Sequence, residues 1–115
     1  MKAVAIALVS LFTISASEAE AHARLVSSSP PLNSVVQASP TEVVLTFNEP
    51  AKAVVVKLLD PAGKELAVLD ALADRNTIRC PIKTALAPGK YVVSYRVVGD
   101  DAHALSGSIA FKIGD

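Results

Sequence analysis

Beyond residue 22 no stretch sustains a helical period over a useful length, and short β-branched runs, several alternating apolar and polar residues with a period of two, are separated by turn residues. Val43, Leu45 and Phe47 alternate with Glu42, Val44 and Thr46, the pattern of a half-buried strand. Over Lys90 to Val98, Tyr91, Val93, Tyr95 and Val97 share one face, while Val92, Ser94 and Arg96 share the other. Ile109, Phe111 and Ile113 alternate with Ser108, Ala110 and Lys112 in a last strand. Shorter runs predict strands at Arg24 to Ser28, at Ala53 to Leu59, at Lys64 to Leu69 and at Asn76 to Cys80. Leu66 to Ala73 is the one segment that could instead form a helical turn.

Turn residues separate these runs every eight to twelve positions. Ser29-Pro30-Pro31 stops the first strand, and Pro88-Gly89 turns the chain into the long one. Asp60-Pro61-Ala62-Gly63 sets φ with Pro at the second turn position and places Gly at the fourth, so a hairpin is expected. Seven short strands with this punctuation predict an all-β fold, a seven-stranded Greek-key sandwich or barrel of the immunoglobulin-like type. No repeat, linker or low-complexity tract divides it, so one domain is expected.

The start of the chain breaks the pattern. Lys2 precedes an uncharged apolar stretch from Ala3 to Ala16, and Ala19-Glu20-Ala21 places small residues where a signal peptidase inspects them. The apolar run is too short for a comfortable membrane span. The expected division is a signal peptide over 1–21 and a β domain over 22–115, exported to the periplasm. Ala21-His22-Ala23 also satisfies the small-x-small rule, and cleavage there would leave Arg24 first.

Charge and cysteine usage narrow the partners. Without Lys2, Glu18 and Glu20 the formal charge is +1. That balance offers no electrostatic footprint for nucleic acid or an anionic membrane surface. The lone Cys80 forms no intramolecular disulfide. At the end of a short strand it is expected to be buried, a thiolate metal ligand being the alternative. A monomer is the expectation.

Only two histidines are present, His22 and His103. Cleavage after Ala21 makes His22 the first residue, and a terminal His offers its α-amine and imidazole Nδ1 to the same ion. His103 stands in Asp100-Asp101-Ala102-His103, on a loop between the two clearest strands. Adding its imidazole gives three nitrogens, with the Asp101 carboxylate as a fourth or axial ligand. Such nitrogen-rich coordination with oxygen suits one Cu(II) ion. The amine and the rings must be unprotonated to bind, so binding should release protons and weaken in acid. The plain alternative is a pair of surface histidines with no metal, in an immunoglobulin-like interaction module.

His22-Ala-Arg-Leu-Val-Ser-Ser-Ser-Pro, Leu45-Thr-Phe-Asn-Glu49-Pro, and Tyr91…Tyr95-Arg-Val-Val-Gly-Asp-Asp101-Ala-His103…Ser106-Gly107 resemble the CopC family of periplasmic copper-resistance proteins. The likeness runs over the whole span after residue 21, its first and last segments being the specific ones. It implies a Greek-key β fold and a Cu(II) site, with His22, Asp101 and His103 at the positions of the copper ligands. Glu49 matches a nearby acidic residue, either a ligand or a partner for the second N–H of a ligating ring. The resemblance also implies copper transfer to a CopD-like inner-membrane protein, in copper resistance or homeostasis. Some members add a Met- and His-rich loop for Cu(I). Here Met1 is the only Met, and no third His exists, so a separate Cu(I) site is not expected unless Cys80 is exposed. Tyr95 and Ala104 replace a Trp and a Pro common in the family.

Catalytic patterns are sparse. Gly-x-Ser-x-Gly, a phosphate loop, HExxH and CxxC are all missing. Asp100 and Asp101 are adjacent, so in an extended chain they face opposite sides and make a poor acid/base pair. A copper-dependent oxidative enzyme would need an open coordination position and a substrate surface, often with exposed aromatics, and Phe47, Tyr91, Tyr95 and Phe111 belong mostly to the expected core. A Cu(II) carrier or buffer is the expected function, not an enzyme.

Overall fold

The computed structural model describes residues 23–114. Nine strands follow one another: β1 (Leu25–Ser29), β2 (Ser34–Val36), β3 (Glu42–Phe47), β4 (Ala51–Leu59), β5 (Glu65–Val68), β6 (Leu72–Asp74), β7 (Thr77–Pro81), β8 (Gly89–Gly99) and β9 (Ala104–Ile113). They form two sheets, a four-stranded one in the order β1-β3-β7-β6 and a five-stranded one in the order β2-β9-β8-β4-β5. Every pairing is antiparallel except that of β2 with β9. The all-β sandwich is therefore the observed architecture.

The seven expected strands are all present, and two three-residue edge strands, β2 and β6, join them. Leu66 to Ala73 forms no helical turn. It lies in β5 and β6, carrying the chain from the edge of one sheet to the edge of the other. Among the described residues no helix is long and apolar enough to cross a membrane.

The core lies between the sheets and comes from the alternating rows. Val43, Leu45 and Phe47 of β3, Ile78 and Cys80 of β7, Tyr91, Val93, Tyr95 and Val97 of β8, and Ile109, Phe111 and Ile113 of β9 are all buried. Removing such side chains from water is the main stabilising contribution, at about 1.5–3 kcal/mol for each large apolar residue. Phe47 meets Tyr95 edge to face at 5.7 Å between ring centroids, and Tyr91 stacks on Phe111 at 5.9 Å.

β4 changes parity midway: Ala51 is buried, then Val56 and Leu58. Its register against β8 shifts between Ala53 and Val55, so the chain carries one extra residue, Val54, which is exposed. A bulge of this kind switches the buried face, so Ala53 to Leu59 shows no alternation and is apolar except at Lys57.

Candidate metal-binding end

One end of the sandwich gathers the close of β3, the first residues of β1 and β4, and the β8–β9 hairpin. Leu25 pairs with Phe47 and Ala51 with Gly99. Asn48 fastens the chain start to this end. The Arg24 amide donates to Asn48 Oδ1 at 2.6 Å, and the Asn48 amide donates to the Arg24 carbonyl at 3.0 Å. Asn76 holds the other side of the turn, its amide group donating to the Phe47 carbonyl at 3.1 Å. Ala23 is thereby buried, with 3% of its surface exposed.

Glu49 is the next same-parity position after Phe47, and it continues the inward row of β3 with a carboxylate. Its Oε2 is buried and has no hydrogen-bond partner among the described residues. A buried carboxylate oxygen left this way costs on the order of 1–3 kcal/mol or more unless a cation or a donor meets it. Gly99 stands at the same depth on β8, and Glu49 Oε2, Ala23 Cβ and Asp101 Oδ1 all lie within 4 Å of the place its Cβ would occupy.

Asp101 and His103 share the β8–β9 loop. The His103 amide donates to Asp101 Oδ1 at 3.1 Å, and His103 Nδ1 lies 3.2 Å from Asp101 Oδ2. The carboxylate thus holds both backbone and ring of the histidine. The His103 side chain is 66% exposed and that of Asp101 27%, so the pair opens to solvent. A groove of about 420 Å³ lies against the same hairpin, lined by Lys52, Arg75, Asp100 and Ala102 among others.

Three of the four sequence-predicted site residues therefore stand at one end, with Asp101 touching His103 and Glu49 reaching the same small space as Asp101. The fourth, His22, lies outside the described residues. Among the described residues no three His, Cys, Asp or Glu side chains form a ready-made metal cluster. Sequence reasoning passed over Gly99 and Asn48. The signal for Gly99 was the inward row of β8, which runs through odd-numbered residues and ends on a glycine.

Cys80 is buried, as its strand position suggested. Burial, with a smaller contribution from Glu42, pushes its thiol up to about 11. A thiol held protonated is a poor metal ligand, which removes the soft-ligand alternative. A cavity of about 470 Å³ at the opposite end, lined by Leu58, Leu66, Ile82, Leu86 and Tyr91 among others, contains none of the candidate ligands.

Fold and site together define an all-β sandwich that presents carboxylate and imidazole donors at one end, chemistry that suits a transition-metal ion. Residues 25–114 match the model of the CopC domain, and the chain belongs to the CopC family. It is 32% identical over 105 residues to copper resistance protein C of Pseudomonas syringae pv. tomato, covering 83% of this chain and 82% of that one. It is 31% identical over 98 residues to protein YobA of Escherichia coli K12, covering 81% and 79%. Among solved structures it resembles CopC from Methylosinus trichosporium OB3b, with a TM-score of 0.75 at 30% identity, over 81% of this chain and 94% of that one. It also resembles PcoC, a methionine-rich copper resistance protein from Escherichia coli, with a TM-score of 0.62 at 25% identity, over 80% and 98%. The family is one of copper-resistance proteins, not of enzymes. Unlike the methionine-rich relative, this chain has a single Met, at position 1.

Proposed function

We propose that this protein is a periplasmic Cu(II) carrier or buffer that binds one ion at the end of the sandwich bearing the β8–β9 hairpin. A signal peptide over 1–21 is removed and the working protein is a monomer over 22–115. The α-amine and imidazole of His22 take the ion together with the imidazole of His103 and the carboxylate of Asp101. Glu49 adds a second carboxylate to the same end. A CopD-like inner-membrane protein is the recipient or source of the copper.

The observation that carries this reading is the seat of Ala23. It is buried, clamped through its neighbour Arg24 to Asn48, and packed beside Gly99 in the space that Glu49 and Asp101 share. His22 directly precedes Ala23 in the sequence. A cation in that space would meet the buried Glu49 Oε2, which has no hydrogen-bond partner among the described residues.

Two preparations test it: the protein beginning at His22, confirmed by mass spectrometry, and the same protein with one Gly added in front. Both are titrated with Cu(II). Every side chain is kept, yet the extended form should bind at least about 100-fold more weakly, because its chelating amine has become an amide. Binding to the unextended form should weaken as the pH falls, since the amine and rings must lose protons first. Equal affinities for the two forms would rule out the amine as a ligand.

A further inference from the structure

The inward row of β8 fills the core with Tyr91, Val93, Tyr95 and Val97, and its next inward position is Gly99. An ideal Cβ on Gly99 would lie 2.8 Å from Glu49 Oε2, 3.0 Å from Ala23 Cβ and 3.5 Å from Asp101 Oδ1. The first of these is closer than a carbon and an oxygen can stand. Gly99 is not among the residues with φ in the left-handed region. Its missing side chain therefore supplies space and not backbone freedom.

We infer that Gly99 is a positioning residue for copper: the empty place of its side chain seats the Glu49 carboxylate between the start of the chain and Asp101, so that a second negative charge stands beside the ion. The inference rests on the Cu(II) reading above. The Asp60 turn supports it independently. That turn has the same backbone hydrogen bonds as the β8–β9 loop, and it carries Asp60 where the loop carries Gly99. A side chain is thus compatible with this loop geometry, and at residue 99 it is the neighbours that forbid one.

The consequence is electrostatic. A carboxylate held close to the site in a partly dry setting favours the doubly charged ion over the singly charged one. In Gly99→Ala the new methyl group displaces Oε2, which is the far end of a flexible side chain, so the carboxylate yields while the sandwich stays folded.

The test uses protein beginning at His22. The wild type, Gly99→Ala, Glu49→Ala and the double variant are loaded with one equivalent of Cu(II). Each is examined by electron paramagnetic resonance and by its Cu(II)/Cu(I) potential. Gly99→Ala should change the resonance spectrum and lose roughly tenfold in its preference for Cu(II) over Cu(I), a rise of about 59 mV. Glu49→Ala and the double variant should match each other, because Gly99 acts through Glu49. An unchanged spectrum and potential in Gly99→Ala, with tight binding by the wild type, would overturn the inference and leave the Cu(II) reading standing. A double variant that differs from Glu49→Ala as much as Gly99→Ala differs from the wild type would overturn it too. Absence of Cu(II) binding by the wild type would remove both. If Gly99→Ala alone fails to fold, a folded double variant supports the inference, and an unfolded one assigns the space to Ala23 and overturns it.

Discussion

In the β4–β5 hairpin the amide of Gly63 donates to the Asp60 carbonyl and that of Asp60 to the Lys64 carbonyl, both at 2.8 Å. In the β8–β9 hairpin the amide of Ala102 donates to the Gly99 carbonyl at 3.0 Å and that of Gly99 to the His103 carbonyl at 3.2 Å. The two loops close with one backbone pattern and share no residue type at any of the five places. In the first, Asp60 Oδ1 accepts from the amides of Ala62 and Lys64, each at 2.9 Å, and the left-handed position is Gly63, with φ 84° and nothing within 4 Å of its missing Cβ. In the second, a side chain in the place of Asp60 would strike Glu49, so the acid stands two residues on, at Asp101, and holds His103. The left-handed position there is Ala102, with φ 66°. An L side chain in that region costs roughly 1–2 kcal/mol. A loop that only has to turn follows turn chemistry throughout, while the loop at the candidate site departs from it at two places. Departures of this kind collect where a site makes its own demands.

The largest expected effect separates the two loops at their fifth place. His103→Ala removes an imidazole and should weaken Cu(II) binding by at least about 100-fold in a titration of protein beginning at His22. Lys64→Ala, at the equivalent place in the other loop, should leave affinity unchanged. Comparable losses in both variants would mean that the hairpins do not differ in function.

The two acidic residues should part in the same way. Asp101→Ala frees the His103 ring and amide from their shared carboxylate, and should lower Cu(II) affinity by about tenfold or somewhat more. Asp60→Ala removes two backbone caps at an exposed turn. It should lower unfolding stability by about 1–2 kcal/mol, read by chemical denaturation, with copper affinity untouched.

What could be read from the sequence divides along similar lines. Val43, Leu45 and Phe47 of β3 and Tyr91, Val93, Tyr95 and Val97 of β8 alternate strictly and are buried, because the register shifts beside them place the extra residue in β1 and β4, not in β3 or β8. β4 hides its faces because the bulge at Val54 reverses them. β2 and β6 escape notice because three residues carry no period, and pairing with β9 and β7 alone makes them strands. β9 begins at Ala104, ahead of the expected Ser108, because Leu105 to Gly107 pair with the far end of β8, where Leu105 and Gly107 are only half-buried and Ser106 is exposed. At the site, Asp101 and His103 were legible as loop residues with ligand chemistry, and Glu49 only through the resemblance to the CopC family. Gly99 was not, since the meaning of a missing side chain lies in what fills its place from across the sandwich.

The smallest effect, and the one with a distinctive sign, lies at the left-handed position. Gly63→Ala forces a Cβ into φ 84° where no contact can compensate, and should destabilise the protein by about 1 kcal/mol. Ala102→Gly removes the corresponding cost at φ 66° but gives the unfolded chain a more flexible residue, worth about 0.5–1 kcal/mol against folding. The balance should be a gain of roughly 0.5–1 kcal/mol in metal-free protein. Because Gly adopts the same conformation without strain, the Asp101 and His103 contacts can persist, so copper affinity should fall only slightly, through the looser loop. Opposite signs from exchanges of the same two residue types would show that the two loops share one backbone while differing in what each spends its conformation on. A loss of stability in Ala102→Gly would show instead that the alanine methyl makes a favourable contact that outweighs its strain.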